Sequence, residues 1–246
     1  MASVLFTGRE GAITSALRKA GYRVEVHRVI RHEAIRGSLD AVERWIEAAT
    51  NVSERRKRPI SIVITSMTTA HFLQPLIENL GEKIHEINFY VSGPSTASAC
   101  EKIGCPVSVV ADQPAGAESL LHSLAKLDES EDILCVGSSL AGNRIPEVLR
   151  QSGHTVNRLD IYSTHNDLDQ LAQLEEIWDD FDAVVITSPS SAQALSSIVT
   201  LSDHPGLVAI GERTSQTLSE DYEADHVVAE ATTPAAIVEA VKEALS

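Results

Sequence analysis

The segment VITSMTTAHF at residues 63–72 returns as VITSPSSAQA at residues 185–194, so one stretch of sequence occurs twice in this 246-residue chain. Each copy is followed by a second shared segment, VSGPSTA at 91–97 and AIGERTS at 209–215. Ser66 and Ser188 are 122 residues apart, and Thr96 and Thr214 are 118 residues apart. Solenoid repeats have periods of about 20–50 residues. The longer spacing therefore predicts a duplicated α/β unit.

A third pair, LRKAGYRV at 17–24 and LRQSGHTV at 149–156, is more divergent. Around these pairs, short segments rich in Val and Ile alternate with segments of helical period. Near-continuous apolar strands, each followed by a helix, indicate parallel sheets covered by helices on both faces. The predicted strands are Val4–Thr7, Arg23–Val29, Ser61–Thr65, Ile87–Val91, Val107–Val110, Ile133–Val136, Thr155–Tyr162, Ala183–Thr187, Leu207–Ile210 and His226–Val228.

Two segments at matching places in the duplicated pattern are candidates for crossings between the lobes. They are Arg28–Arg36, where an apolar strand runs into charged sequence, and Asn157–Thr164, after the corresponding strand of the other copy. If both are hinges, at about 28–36 and 157–164, lobe 1 comprises residues 1–33 plus 164–246 and lobe 2 comprises residues 34–163. Bisection of the chain near residue 128 is the alternative, and it would make both lobes continuous.

The formal charge of −15 is distributed unevenly. Residues 1–60 hold 12 Lys/Arg against 7 Asp/Glu, a balance of +5, and residues 61–246 hold 8 against 28, a balance of −20. Ordinary solubility charge explains this, and a local positive field from Arg9, Arg28, Arg31 and Arg36 is the alternative. The basic run at 55–58 precedes Pro59 and has no interleaved aromatic residues, which favours a solvated loop over a nucleic-acid surface.

The remaining composition indicates a cytoplasmic globular protein. The longest apolar runs are strand-sized, and the N-terminus begins a strand without the apolar region of a secretory signal. Cys100, Cys105 and Cys135 lie within helix- or strand-like sequence, which is typical of packed, reduced thiols.

Hydroxyl side chains follow the strand ends in both copies, at Thr65-Ser66, Thr187-Ser188, 93–96 and 211–214. Ser and Thr at these places predict N-caps of the following helices. Ligands of open α/β sheets bind beyond the carboxyl ends of the strands, where helix N-termini favour anions. Capping alone and capping with anion binding both remain open. Tyr162, at the end of a predicted strand, is either a packing residue or a phenol that transfers a proton.

Other site chemistries lack their sequence signatures. The chain has no Gly-x-Gly-x-x-Gly after a strand, no Walker-type Gly-Lys-Ser/Thr and no Gly-x-Ser-x-Gly elbow. The nine His residues are scattered, and none is spaced with Cys, Asp or Glu as a recognisable metal site. An enzyme without these groups would act mainly by positioning its substrate.

The sequence resembles the uroporphyrinogen-III synthase family over nearly its whole length. The resemblance lies in LFTGR at 5–9, the ITS pair at 64–66 and 186–188, the G-x-x-T pair at 93–96 and 211–214, and YST at 162–164. It implies two similar Rossmann/flavodoxin-like parallel-sheet lobes joined by a two-stranded hinge, with the middle of the chain as one lobe.

The resemblance also implies a reaction in porphyrin and heme biosynthesis. A hydro-lyase would cyclise linear hydroxymethylbilane to uroporphyrinogen III, with loss of water and inversion of ring D, by conformational positioning in the cleft between the lobes. No metal or organic cofactor is implied. Tyr162 corresponds to the family's catalytic tyrosine, and the positions expected to contact the substrate carboxylates are Arg9, Ser66, Thr96, Ser188 and Thr214.

The expected partners are hydroxymethylbilane and, transiently, the preceding enzyme of the pathway, with neither nucleic acid nor membrane. We expect a monomer. A non-catalytic two-lobed small-anion binding or sensory module is the alternative from another class. A nucleotide-sugar or sulfate enzyme is disfavoured because the chain lacks phosphate-binding loops.

Overall fold

The computed structural model describes residues 1–56, 58–112, 116–127, 129–204 and 206–246. The chain forms two compact units, unit 1 with residues 1–31 and 165–246, and unit 2 with residues 32–164. The chain passes between the units inside strand β3 (Ile30–Ala34) and inside strand β8 (Thr155–Asn166), which are neighbours in one sheet. The predicted lobe boundaries and the hinge role of these crossings stay predictions, as does the cleft between the lobes.

Unit 1 is built on a parallel sheet with the order β2-β1-β9-β10-β11. Within the unit this is the order 2-1-3-4-5 of flavodoxin-like folds. Its strands are β1 (Ser3–Phe6), β2 (Arg23–Val26), β9 (Ala183–Ile186), β10 (Leu207–Ala209) and β11 (Val227–Val228). Its helices are α1 (Ala12–Lys19), α7 (Leu168–Ile177), α8 (Pro189–Leu195), α9 (Glu212–Tyr222) and α10 (Pro234–Ala244), with 3-10 turns at Trp178–Asp180 and Leu201–Asp203.

Unit 2 has the corresponding spatial order β8-β7-β4-β5-β6, in which β7 and β8 come last along the chain rather than first, and it adds β3 beside β8. Its remaining strands are β4 (Ile60–Ile64), β5 (Ile87–Val91), β6 (Val107–Val110) and β7 (Asp132–Ser138). Its helices are α2 (Ser38–Arg56), α3 (Met67–Leu80), α4 (Pro94–Lys102), α5 (Ala117–Leu124) and α6 (Arg144–Gln151), with a 3-10 helix at Gly81–Glu86. When the two sheets are matched by strand position, β9 corresponds to β4, β10 to β5, and α1–β2 to α6–β8. These are the three repeated segments of the sequence.

Each sheet has an apolar core on both faces, because successive side chains of a strand point to opposite sides. In β1, Leu5 packs into one cluster, and Val4 and Phe6 pack into another. In β4, Ile62 and Ile64 pack on one face and Val63 on the other. The predicted α/β class with parallel sheets covered on both faces is confirmed.

Two predicted elements differ from the structure near the first crossing. The strand predicted at Arg23–Val29 ends at Val26, and a separate strand, β3, occupies Ile30–Ala34. Helix α2 extends from Ser38 to Arg56 and so includes the first two residues of the basic run. The solvated-loop interpretation of the basic run is therefore wrong for residues 55 and 56, and Lys57 lies outside the described residues.

The thiols behave as the sequence predicts. Cys100, Cys105 and Cys135 are free and buried. Burial in the apolar interior raises the pKa of the Cys135 thiol to about 12, which keeps it protonated. Within the described ranges, none of the helices combines the length and apolar character needed to span a membrane.

Candidate functional site

The predicted site residues of unit 1 follow three neighbouring parallel strands. Arg9 lies in the loop after β1, Ser188 follows β9, and Thr214 lies in the first turn of α9 after β10. These positions define the carboxyl edge of unit 1. Arg9 is exposed, and so is Arg28, just beyond the neighbouring strand β2. Both cations therefore lie along this edge, which agrees with the alternative of a local positive field.

The predicted site residues of unit 2 occupy the equivalent places. Ser66 follows β4, Thr96 lies in the first turn of α4 after β5, and Tyr162 pairs with Ser138, the last residue of β7. These positions define the carboxyl edge of unit 2. Each unit thus brings three of the six predicted residues to one edge of its own sheet.

Ser66 and Ser188 are N-caps with the same local geometry. The Ser66 Oγ accepts the backbone N–H of Thr69 at 3.1 Å, and the Ser188 Oγ accepts the backbone N–H of Ser191 at 3.0 Å. In each copy the cap hydroxyl also contacts the hydroxyl three residues on, at 2.8 Å for Ser66 with Thr69 and 2.9 Å for Ser188 with Ser191. The predicted capping is correct for these two residues.

Thr96 and Thr214 are not N-caps, so the capping prediction is wrong for them. The caps are Gly93 and Gly211, and both threonines are the third residue of their helices, where they are 6% and 3% exposed. A glycine cap has no side chain, so the first turns of α4 and α9 receive no side-chain cap hydrogen bond in the described structure, and the Thr214 N–H instead donates to the Gly211 carbonyl at 3.1 Å. Unpaired N–H groups at a helix N-terminus suit a carboxylate.

A second pair of hydroxyls joins β1 to β9, where the strand order of unit 1 reverses. The Oγ1 atoms of Thr7 and Thr187 are 3.2 Å apart, and the Thr7 Oγ1 accepts the backbone N–H of Thr187 at 3.0 Å. Gly8 permits this approach, because an added Cβ would lie 2.5 Å from the Phe6 ring and 3.1 Å from the Thr187 methyl group. Ligands of this fold class bind at such a reversal point.

Tyr162 is held among aromatic and hydroxyl groups of unit 2. The residue is 5% exposed, and its ring stacks on Phe72 with centroids 5.0 Å apart and planes 12° apart. The His32 ring meets it edge-on at 5.3 Å, and the His32 Nδ1 is 3.0 Å from the Thr164 Oγ1. The phenol oxygen lies 3.3 Å from the Ser66 Oγ. Of the six predicted residues, Ser66 and Tyr162 are the pair joined by a hydrogen-bond contact in the described structure.

Sequence reasoning missed the residues that support this arrangement. Phe72 is the last residue of the repeated segment, where the other copy has Ala194, and this difference was the signal that could have marked it. Thr7 directly follows β1 as Thr187 directly follows β9, but only the sheet order shows that β1 and β9 are adjacent. Among the described residues, no group of three or more His, Cys, Asp or Glu side chains is arranged to hold a metal ion.

Comparison with known sequences identifies the family. A sequence model described as uroporphyrinogen-III synthase HemD matches residues 11–239. The chain belongs to the uroporphyrinogen-III synthase family. The predicted membership and the predicted function as a uroporphyrinogen-III synthase are thereby confirmed, and the non-catalytic alternative gains no support. A search of the curated proteins finds no match to the sequence.

Solved structures of uroporphyrinogen-III synthases share the fold. A mutant of the enzyme from Thermus thermophilus superimposes with a TM-score of 0.67 at 17% identity, covering 100% of this chain and 99% of that one. The uroporphyrinogen-III synthetase of Helicobacter pylori gives a TM-score of 0.63 at 15% identity, covering 97% of both chains. At these identities the likeness concerns the fold.

Proposed function

We propose that this chain acts as a hydro-lyase, which cyclises hydroxymethylbilane to uroporphyrinogen III with loss of water and inversion of ring D. The observation that carries the chemical proposal is the Tyr162 phenol at the N-terminus of α3, 3.3 Å from the Ser66 hydroxyl. A phenol in this position can donate a hydrogen bond or a proton to a leaving hydroxyl group.

The two carboxyl edges supply binding groups for a substrate that carries eight carboxylates. In unit 2, the N-termini of α3 and α4 offer backbone N–H groups, and in unit 1 α9 offers them beside the Ser188 hydroxyl. The positive end of a helix dipole favours an anion there. We assign Ser66, Thr96, Ser188 and Thr214 to carboxylate binding, with most of the binding through backbone donors.

Arg9 gives unit 1 a cation of its own at this edge. Within the described ranges its guanidinium takes part in neither an ion pair nor a hydrogen bond, so its donors are available to a carboxylate. The net charge of −15 does not prevent anion binding, because charges more than about 8 Å away are largely screened at physiological salt. Nearby cations and helix N-termini therefore determine the electrostatic potential at the carboxyl edge of unit 1.

The chemistry begins with departure of the terminal hydroxyl of hydroxymethylbilane as water. Tyr162 supplies the proton and is left as a phenolate, and the product is an electrophilic azafulvenium cation; the proton that the pyrrole carbon releases at final ring closure restores the phenol. Attack by the substituted carbon of ring D gives a spiro intermediate, which reopens and closes with that ring inverted. Closure without inversion needs no enzyme, so the contribution of the protein is to orient a flexible chain.

The cellular setting completes the proposal. We place the chain in the cytoplasm as a monomer that receives its unstable substrate through transient contact with the preceding enzyme of the pathway. Size-exclusion chromatography with light scattering tests the monomer, and cross-linking to that enzyme tests the contact.

The decisive experiment is incubation of the purified protein with freshly generated hydroxymethylbilane. Oxidation of the products and chromatographic separation give the ratio of type III to type I isomer. We expect type III to predominate with the protein and type I to predominate without it. Equal isomer ratios with and without the folded protein would refute the proposal.

A further inference from the structure

The hydrogen-bond chain that ends on Tyr162 begins at a buried threonine. Thr69 is fully buried, and its Oγ1 is 2.8 Å from the Ser66 Oγ. The Ser66 Oγ is in turn 3.1 Å from the Thr69 backbone nitrogen and 3.3 Å from the Tyr162 phenol oxygen. Three donors and acceptors thus converge on one serine oxygen.

Counting donors and acceptors determines the direction of each bond in this chain. A buried hydroxyl hydrogen needs an acceptor, and among the described residues the Ser66 Oγ is the acceptor within reach of the Thr69 hydroxyl. Ser66 therefore accepts both the backbone N–H and the O–H of Thr69, which occupies its two lone pairs. Its own O–H then points to the phenol oxygen of Tyr162.

We propose that Thr69 is a positioning residue for the reaction, because it makes Ser66 a donor to the Tyr162 phenol oxygen and leaves the phenol proton for the substrate. The inference rests on the proposed function of Tyr162 as a proton or hydrogen-bond donor. Without the Thr69 hydroxyl, one lone pair of Ser66 is vacant and the phenol can turn its own proton toward Ser66. The substrate would then compete with Ser66 for that proton.

The same hydrogen-bond chain also acts after proton transfer, when Tyr162 is a phenolate. The Ser66 O–H would stabilise the phenolate that remains, and the N-terminus of α3 contributes its partial positive charge. The 3.3 Å separation is longer than the usual range of about 2.5–3.0 Å for an O–H···O bond. Catalytic hydrogen bonds are often long before substrate binds and then shorten.

Unit 1 contains a matched arrangement without a tyrosine. Ser191 contacts the cap hydroxyl of Ser188 through both its backbone N–H and its Oγ, as Thr69 does with Ser66. In unit 1, no described phenol continues the chain. Ser191→Ala is therefore a control that breaks an equivalent hydroxyl pair but leaves Tyr162 untouched.

The test combines a spectroscopic signal with kinetics. Protein labelled with 13Cζ tyrosine gives one resonance for each of the four tyrosines, and loss of a resonance in Tyr162→Phe assigns the one of interest. We expect Thr69→Val to shift the Tyr162 resonance and to lower kcat about 2- to 10-fold, the equivalent of one hydrogen bond, with KM within twofold. Thr69→Ser restores the hydroxyl and should restore both readouts.

The controls separate this inference from structural damage and from the proposed function. Ser191→Ala should leave the Tyr162 resonance in place. If Thr69→Val does not fold, Ser66→Gly removes the donor with little loss of capping and should also shift the Tyr162 resonance. An unmoved resonance in the folded variant, or a Thr69→Ser protein that is not restored, overturns the hydrogen-bond chain. A fully active Tyr162→Phe protein instead refutes the proposed role of Tyr162, so the two failures are distinguishable.

Discussion

The N-terminus of α3 in unit 2 and the N-terminus of α8 in unit 1 share one capping motif and differ in what surrounds it. Both have a serine cap that contacts the backbone and hydroxyl of the residue three positions later. Around α3 lie Tyr162 and Phe72, whereas the strand end before α8 carries the Thr187 hydroxyl bonded to Thr7.

This difference separates binding from chemistry. The duplicated feature is a polar strand end followed by a helix N-terminus, which can hold a carboxylate in either unit. The feature present once is the phenol, which lies on β8 and reaches the cap serine of α3. We infer that the duplicated edges bind the substrate and that unit 2 alone supplies the proton.

The largest expected effect is that of Tyr162→Phe. Removal of the phenol oxygen should lower turnover at least tenfold, about 1.4 kcal/mol of activation free energy, because the leaving hydroxyl loses its donor. Initial rates of uroporphyrinogen III formation measure this, and circular dichroism checks that the fold is intact. Phe retains the stacking on Phe72, so stability should change little. Unchanged turnover would remove Tyr162 from the mechanism and end the contrast between the two units.

The paired substitutions Ser66→Ala and Ser188→Ala compare the caps directly. Each should lower the free energy of unfolding by about 1 kcal/mol through loss of an N-cap. Only Ser66→Ala should also lower kcat several-fold, because only Ser66 contacts the Tyr162 phenol. Denaturant unfolding curves give the free energy of unfolding, and steady-state kinetics give kcat. Complete loss of activity in a folded Ser188→Ala protein would contradict binding by backbone donors.

Lower pH should reduce the stability of unit 1 through His204, which lies at the edge of the sheet opposite the carboxyl edge. The His204 Nδ1 accepts the Gly206 N–H at 3.1 Å, and its Nε2 lies 3.1 Å from the Phe181 carbonyl oxygen, an arrangement that suits the neutral ring. Burial lowers the pKa of His204 from its usual 6.5. The unfolded chain therefore binds a proton at His204 more readily than the folded chain does. The contribution of the neutral ring to the free energy of unfolding is present above about pH 6.5 and is lost as the pH falls below that value.

The effect should appear as a lower melting temperature at acidic pH. Melting temperatures at pH 7.5 and 5.5 test it, and His204→Gln should flatten their difference. His122 is exposed, so His122→Gln is the control that should leave the difference unchanged. An equal pH dependence in the His204→Gln protein would exclude His204 as its source.

The smallest effects are expected from Thr96→Val and Thr214→Val, at equivalent positions of the two units. Each replacement keeps the backbone donors, so we expect KM to rise by no more than about threefold, roughly 0.6 kcal/mol, and kcat to stay constant. Thr217→Val, one turn further along α9, provides a control outside the helix N-terminus. A large effect in one unit only would show that the two edges do not bind equivalent parts of the substrate.

Much of the fold could be predicted from sequence because the duplicated segments have strong local signals. Apolar strands such as Ile60–Ile64 and Ala183–Ile186 are fully buried, so their composition identifies them. Strand β3 was missed because its sequence, Ile-Arg-His-Glu-Ala, has mostly polar or charged side chains. It is a strand because it lies beside β8, which is a nonlocal pairing.

The candidate site was predicted less completely for the same reason. A cap serine such as Ser66 acts on residues three positions away, so spacing alone reveals it. The contact of Ser66 with Tyr162 joins residues 96 positions apart, and the Thr7 to Thr187 contact joins residues 180 apart. No local pattern encodes which strands become neighbours at that distance.

The amino-acid sequence by itself determined the α/β class, the duplication, the serine caps and the family, because each depends on local spacing or on composition. The tertiary structure alone decided the corresponding spatial order of five strands in the two sheets, the glycine caps of α4 and α9, and the hydrogen-bond chain from Thr69 through Ser66 to Tyr162. These features depend on which distant segments pack together. That choice minimises the free energy of the whole chain rather than of any one segment.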